Sequence, residues 1–349
     1  MRARDHGIVV GTGTPGPLNA ITDVAGVLVG HTTLTEGTAR TGVTVVRPHP
    51  GSAYDTPVYA GFHWLNGNGE MTGLPYLTDF GQLHSPIALT NTFSVGVVRD
   101  ALVSLEIGGR GAGAWSTPVV AETWDGRLND IDAQHVDREH VASAYREAAS
   151  GPVAEGSVGG GTGMICHGFK GGTGTASRLV DDYTVGVLVQ ANHGARDRLT
   201  VNGRRVVMDD VPKPGLPESG APEGAGSIIV VIATDAPLLP HQCRKLAQRA
   251  GLGVARTGGS GETTSGDGFI CFSTGNLNLP SNSVGVEQPR LFQVNVLADA
   301  YLDPFYHAVV EATEEAIVNV LVAADTMTGA NGVTAHGLDG GRLADLLKR

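Results

Sequence analysis

Short apolar, β-branched runs recur along the chain at residues 27–30, 43–46, 86–89, 185–190, 228–233, 269–272 and 292–296. Most are bounded by Gly, Pro, Asn or Asp, the residues that punctuate strands. Several are apolar at consecutive positions, which predicts strands covered on both faces. Three longer stretches carry helical spacing. Residues 132–149 have an acidic start, residues 240–250 open on Pro240 and stop at Gly251, and residues 303–324 carry Pro304 near their start. Buried strands mixed with amphipathic helices predict a layered α/β or α+β fold, sheet inside and helices outside.

Residues 211–226 break this rhythm. They read VPKPGLPESGAPEGAG, with four Pro and four Gly among sixteen positions. Such a stretch cannot continue an interior strand or helix and reads as an exposed linker. The apolar run SIIVVIATDA follows at once, as a central strand would.

Composition narrows the function classes. The 349 residues fit one large or two ordinary domains, and 41% hydrophobic against 17% charged residues excludes a mainly disordered chain. The 51 glycines show no period of three and point to tight turns and close backbone approaches. A net charge of −11 argues against binding nucleic acid, which requires a basic surface. Three cysteines, Cys166, Cys243 and Cys271, form no CxxC pair, so a disulfide framework is not expected. The N-terminal MRARDHGIVV lacks the apolar core of a secretory signal, and no apolar run has the length of a membrane helix; a cytoplasmic protein is expected.

The linker-to-strand junction at Gly226–Ser227 carries candidate chemistry. Glycine reaches backbone shapes closed to other residues, so a strained peptide bond is accessible there. The Ser227 hydroxyl could attack the Gly226 carbonyl and form an ester that water hydrolyses, giving chains of 226 and 123 residues. The new Ser227 amine, with a reference pKa of about 7.7–8.0, could then take the proton from its own hydroxyl, as in N-terminal nucleophiles. By pattern alone, an ordinary loop-to-strand serine fits as well. Ser265 and Asp267 sit two apart in SGDGF before a strand, which puts both side chains on one face. They suit an orienting pair or a plain Ser/Asp turn. Asn192 ends the run VGVLVQAN and suits an oxyanion donor or a strand-terminating turn. Glu122, in AETWDG, suits the counter-charge for a substrate ammonium or a surface acid near Asp125 and Asp130.

Ordered segments along nearly the whole chain resemble the DmpA-type aminopeptidases, the L-aminopeptidase/D-esterase and β-peptidyl aminopeptidase family. They are TPGPLNAITDVAGVLVGHTTL (14–34), LNGNGEMTGL (65–74), AETWDGRLNDI (121–131), VGVLVQANHG (185–194), GSIIVVIATDAPLLPHQ (226–242), SGDGFICFSTGN (265–276) and TMTG (326–329). The resemblance implies a four-layer αββα sandwich similar to the Ntn hydrolases. It implies a single domain over 1–349, self-cleaved into 1–226 and 227–349, and a serine aminopeptidase that releases N-terminal L-, D- or β-residues from short peptides, amides and esters through an acyl-enzyme on Ser227. It assigns Ser265 and Asp267 as supporting groups, Asn192 to the oxyanion site, and Glu122 to the substrate amine. Two departures stand out. Asp267 replaces what is sometimes Glu, and Trp124 stands where Tyr is expected, which leaves the shape of the substrate pocket open. A homo-oligomer of processed heterodimers, often a tetramer, is also implied.

Other signals are discounted. GTGTPG (11–16) matches GxGxxG, but Pro15 and Pro17 crowd it and no long helix follows. GGGTG and GGTGTAS (within 159–177) lack the GK[ST] ending of a phosphate loop. The twelve histidines show no metal-ligand spacing, so no metal and no cofactor is expected. Two other readings stay open: an acyltransferase of the ornithine-acetyltransferase type, whose nucleophile is Thr, and an unprocessed binding protein.

Overall fold

Two sheets stack face to face. The structure, a computed structural model, describes residues 1–108, 110, 114–215, 226–281 and 287–348. The smaller sheet has the order β1–β2–β5–β6, formed by β1 (Leu28–Leu34), β2 (Thr41–Arg47), β5 (Ile87–Asn91) and β6 (Val119–Thr123). The larger has six strands in the order β4–β3–β10–β9–β8–β7. These are β3 (Val58–Trp64), β4 (Gln82–Leu83), β7 (Gly172–Val180), β8 (Tyr183–Ala191), β9 (Ile228–Thr234) and β10 (Gly268–Ser273). Its two central strands, β9 and β10, come from beyond residue 226, and their neighbours β8 and β3 from before it. The short helix α1 (Leu74–Phe80) lies against β3 and β4; α2 (Val95–Ile107) and α3 (Arg138–Arg146) cover the small sheet, and α4 (Pro240–Arg256) and α5 (Asp303–Ala323) the large one. This is the expected αββα sandwich.

The alternation along each strand builds three cores. Ile228, Val230 and Ile232 of β9 join the core beneath α4 and α5, while Ile229, Val231 and Ala233 face the opposite sheet. Val43 and Val45 of β2 pack under α2 and α3. A strand apolar at every position is thus a strand with a core on each side.

Four expectations are corrected. Residues 292–296 form no strand: the segment is held by side chains instead of a sheet neighbour. Asn276 Nδ2 donates to Asn295 O at 3.0 Å, and Asn278 Nδ2 to Gln293 O at 2.8 Å. Phe292 and Val296 remain exposed there. The helix expected over 132–149 is only Arg138–Arg146, because Gln134 adopts a left-handed φ of 49° and Asp137 caps the later start by accepting from His140 N at 3.0 Å. The helix at Pro240 runs past Gly251 to Arg256. Its Gly253 allows α5 to approach; a Cβ there would lie 2.6 Å from Thr313 Cβ and 2.8 Å from Val310 O. GGTGTAS, which looks like a loop but is discounted as a phosphate site, lies from Gly172 onward in β7, whose glycines accept close backbone: a Cβ on Gly174 would lie 2.2 Å from Ala316 O of α5. Of the expected linker, residues 216–225 lie outside the described residues.

Candidate active site

Sheet register gathers the candidate residues at one end of the large sheet. β9 and β10 are parallel, with Ile229 opposite Gly268, so Ser227 and the Ser265–Asp267 segment enter the sheet side by side. β8 runs antiparallel to β9 and ends with Ala191 opposite Ile228. Asn192 therefore leaves the sheet where Ser227 enters it, and its amide donates to Ser227 O at 3.0 Å.

Ser227 is buried. Its Oγ accepts a hydrogen bond from Gly266 N at 2.8 Å. Position 266 has no room for a side chain: a Cβ would lie 2.5 Å from Gly69 Cα and 2.6 Å from Asn68 O. Asp267 Oδ1 accepts from Ile228 N at 3.1 Å, and Oδ2 accepts from Ser265 Oγ at 3.1 Å. The pair thus grips the amide that follows the serine. Asn66 fastens both members, donating through Nδ2 to Ser265 Oγ at 2.9 Å and accepting at Oδ1 from Asp267 N at 2.9 Å. Burial pushes the Asp267 carboxyl up to about 6, against the pull of the Ile228 amide and the Ser265 hydroxyl.

The Asn192 carboxamide is fixed at both ends. Oδ1 accepts from Ile165 N at 2.9 Å, and Nδ2 donates to Trp124 O at 2.9 Å. A carboxamide nitrogen carries two hydrogens, so one remains for a further acceptor. Gly226 has a φ of 152°, and a Cβ on it would lie 2.0 Å from Asn192 O and 3.2 Å from Asn192 Nδ2. The peptide preceding Ser227 is pressed onto Asn192.

Glu122 sits near the end of β6, buried. Its Oε1 accepts from Glu70 N at 3.0 Å and its Oε2 from the Thr92 hydroxyl. Burial pushes its carboxyl above the usual range, with those two donors opposing. Gly69 separates it from the serine: a Cβ there would lie 3.1 Å from Glu122 Oε1 and 3.0 Å from Gly266 Cα. Trp124 lends its carbonyl to Asn192; its half-exposed indole leans on Gly126, where a Cβ would lie 2.5 Å from the ring. All the residues singled out in the sequence thus lie in one neighbourhood. Gly266 was missed because a backbone N–H leaves no mark in a sequence. Asn66 and Thr92 were missed as well, although Asn66 lies in the LNGNG segment that carries the resemblance.

A sequence profile for peptidase family S58 matches residues 19–335. The chain belongs to peptidase family S58. Among its S58 relatives, the β-peptidyl aminopeptidase BapA of Sphingosinicella microcystinivorans is 50% identical over 372 residues, covering 100% of this chain and 92% of that protein. A β-aminopeptidase from Burkholderia sp. is 52% identical and superposes with a TM-score of 0.93, covering 100% of this chain and 98% of the other. The L-aminopeptidase D-Ala-esterase/amidase of Ochrobactrum anthropi, described as a prototype serine aminopeptidase with a variant Ntn hydrolase fold, is 43% identical with a TM-score of 0.89, covering 99% and 98%. This S58 protein is accordingly a serine aminopeptidase, a hydrolase built on the same fold. Among its described residues no helix is long and apolar enough to cross a membrane.

Proposed function

We propose that the chain cleaves itself between Gly226 and Ser227 and then acts as an N-terminal-serine aminopeptidase on short peptides, amides and esters, β-aminoacyl ones foremost. The observation that carries this reading is the contact at the junction. Ser227 Oγ is held by Gly266 N at 2.8 Å, while Gly226, at a φ of 152°, is pressed onto Asn192. In self-cleavage, Oγ attacks the Gly226 carbonyl carbon, the C–N bond breaks as the nitrogen takes a proton, and water hydrolyses the resulting ester. The products, 1–226 and 227–349, stay together because β9 and β10 lie at the centre of a sheet whose outer strands precede the cut.

In turnover, the freed Ser227 amine takes the hydroxyl proton as Oγ attacks the substrate carbonyl. The remaining Asn192 Nδ2 hydrogen meets the developing oxyanion. The amine returns the proton to the leaving group, and water then releases the acyl group. Asp267 and Ser265 hold the Ile228 amide, and with it the position of Ser227. Glu122 receives the substrate ammonium, and Trp124 forms a wall of the pocket. The β-aminoacyl preference is supported by the relatives at 50% and 52% identity, both β-aminopeptidases by name. Exposed Leu291, Phe292, Val296 and Tyr301 offer a surface for association of processed units into a homo-oligomer.

The test is intact mass together with a hydrolysis panel. Purified protein gives two fragments in place of one 36.0 kDa chain, Ser227→Ala remains whole, and β-aminoacyl p-nitroanilides turn over faster than their L-α counterparts. A wild type that stays whole, yet is active, would sink the self-cleavage reading.

A further inference from the structure

Behind Asn192 lies a second group of chemically capable side chains that the proposed catalysis does not use. Cys166 belongs to a short hairpin, Ile165–Cys166 paired with Phe169–Lys170, whose turn holds His167 at a φ of 49° and Gly168 at 66°. His193 follows Asn192, and its carbonyl accepts from His167 N at 2.7 Å, which ties the turn to the end of β8. The side chains converge. Cys166 Sγ lies 3.8 Å from His193 Nδ1, and the two imidazoles meet edge to face with centroids 5.1 Å apart. One donor atom from each of the three residues lies within 4.8 Å of the other two. Gly194 makes room: a Cβ there would lie 2.3 Å from His167 Cε1.

We propose that Cys166, His167 and His193 form a buried binding site for a thiophilic d10 metal ion, copper(I) or zinc(II). The first argument is an unmet valence. His167 Nδ1 contacts Ala195 O at 3.1 Å. A carbonyl can only accept, so Nδ1 carries the proton and Nε2 holds a free lone pair. That Nε2 is buried in a fully buried side chain with no hydrogen-bond partner among the described residues, and His193 Nε2 is likewise buried and unpartnered among them. Buried polar atoms are rarely left so, because the loss of water is not repaid. A bound cation would satisfy His167. The proton on the far nitrogen of a ligating imidazole usually goes to a carbonyl, as it does here to Ala195.

The second argument is spacing and donor type. A thiolate sulfur and an imidazole nitrogen on one tetrahedral zinc stand about 3.6 Å apart, and the sulfur–Nδ1 separation is already 3.8 Å. Two imidazoles and one thiolate suit copper and zinc rather than calcium or magnesium. Burial holds both rings neutral near pH 7, His167 at about 4 and His193 well below its usual value, so their lone pairs are available. Burial also pushes the Cys166 thiol up to about 12. Binding therefore breaks its S–H bond as the sulfur–metal bond forms, and the proton leaves to solvent. Charge favours the monovalent ion. The Lys170 side chain is buried nearby and donates to Met164 O and Gly171 O, and among the described residues no carboxylate joins the group of three. A thiolate with copper(I) is neutral, whereas zinc(II) would leave a net positive charge in the buried site.

The test reads metal content. Purified protein is incubated anaerobically with copper(I) held by a chromophoric chelator, and separately with zinc(II), then desalted and assayed by elemental analysis. Each arm is run on the wild type, on Cys166→Ala and on Cys271→Ala, the last a buried cysteine in another part of the core. The expected result is one metal per chain in the wild type and in Cys271→Ala, with retention falling at least about tenfold in Cys166→Ala through loss of the thiolate. Copper alone, zinc alone or either in turn supports the site and names its ion. If Cys166→Ala does not fold, cobalt(II) added to the wild type decides, since ligation by Cys166 gives a near-ultraviolet sulfur-to-cobalt band. Equal metal in the wild type and Cys166→Ala overturns the site, as does loss of metal in Cys271→Ala alone. So does failure of both ions to bind together with absence of the cobalt band.

Discussion

Gly226 lies against Asn192 so closely that a Cβ at 226 would sit 2.0 Å from the Asn192 carbonyl oxygen. Its φ of 152° is also a conformation L side chains rarely adopt. Gly226→Ala must therefore displace either the junction or the end of β8. Self-cleavage is expected to slow from complete to partial, visible as a persistent full-length band on a denaturing gel. Because β9 and its sheet neighbours keep every side chain, the fold should survive, with an unchanged circular dichroism spectrum. Complete processing of Gly226→Ala at the wild-type rate would show that this contact does not matter.

Asn192 offers a separable test, because its two side-chain ends do different things. Asn192→Asp keeps an acceptor for Ile165 N but loses the nitrogen that donates to Trp124 O and that we propose also meets the oxyanion. Loss of one oxyanion donor typically lowers kcat by about 10²–10³. We expect that fall with KM within a few-fold of wild type. A large KM change with little effect on kcat would move Asn192 out of the oxyanion role.

Asp267 makes the acid limb of the pH profile predictable. Its carboxyl accepts from Ile228 N and Ser265 Oγ, and it is raised to about 6 by burial. Activity that needs the carboxylate should fall as pH drops through about 6, and Asp267→Asn should remove that limb along with much of kcat. The stability consequence has the opposite sign. Between the ordinary carboxyl value of 3.8 and about 6 the folded chain holds a proton that the unfolded chain has lost. Folding is therefore favoured at the low end of that window and weakens as pH rises through it, with a limiting slope of roughly 1.4 kcal/mol per pH unit. Chemical denaturation of the wild type and Asp267→Asn across this window checks it.

How far these relationships were legible depends on what each residue leaves in the sequence. The β9 strand was visible because both of its faces are buried and every position from Ile228 to Ala233 is apolar. β7 was hidden because close packing under α5 demanded Gly and Thr, which read as a loop. Residues 292–296 misled in the other direction: they are apolar without a sheet neighbour, since asparagine side chains supply the hydrogen bonds a strand would make. In the site, Ser265 and Asp267 were readable as a pair two residues apart. The Gly266 amide between them, which touches Ser227, was not. His167 and His193 escaped a search by spacing because only the tie between the hairpin turn and the end of β8 brings them together.

The proposed role of Glu122, receiving the substrate ammonium, makes it a discriminator of substrates by their amine. Glu122→Gln can keep its carbonyl oxygen as the acceptor for Glu70 N while its new amide nitrogen donates to the Thr92 hydroxyl oxygen, so the local packing should hold. It removes the negative charge. Unacylated substrates should show KM raised roughly 10-fold or more, the scale of a lost charge-assisted hydrogen bond, while self-cleavage proceeds as in the wild type. The measurement is KM for an aminoacyl p-nitroanilide beside the extent of processing. A KM unchanged within error would separate Glu122 from amine recognition.

Arg178 tests the core rather than the chemistry. It is 1% exposed in β7, with Nε 3.1 Å from Glu311 and a terminal nitrogen 2.7 Å from Glu315, itself fully buried in α5. The same guanidinium donates to Ser177 O at 2.8 Å and Val10 O at 2.7 Å, so it ties the N-terminal segment to the sheet and helix. Burial alone would raise the Glu315 carboxyl, but Arg4, Arg178 and Asn19 together hold it below its usual range. Removing one partner of a buried pair strands the other charge, which typically costs about 3–5 kcal/mol. Arg4 remains beside Glu315, so Arg178→Met should fall at the lower end, about 3 kcal/mol in urea unfolding. The double variant Arg178→Met with Glu315→Met should recover part of that loss, because the stranded carboxylate is gone. A double variant as unstable as the sum of its singles would show that Arg178 acts through its backbone contacts to Val10 and Ser177, and not through the ion pair.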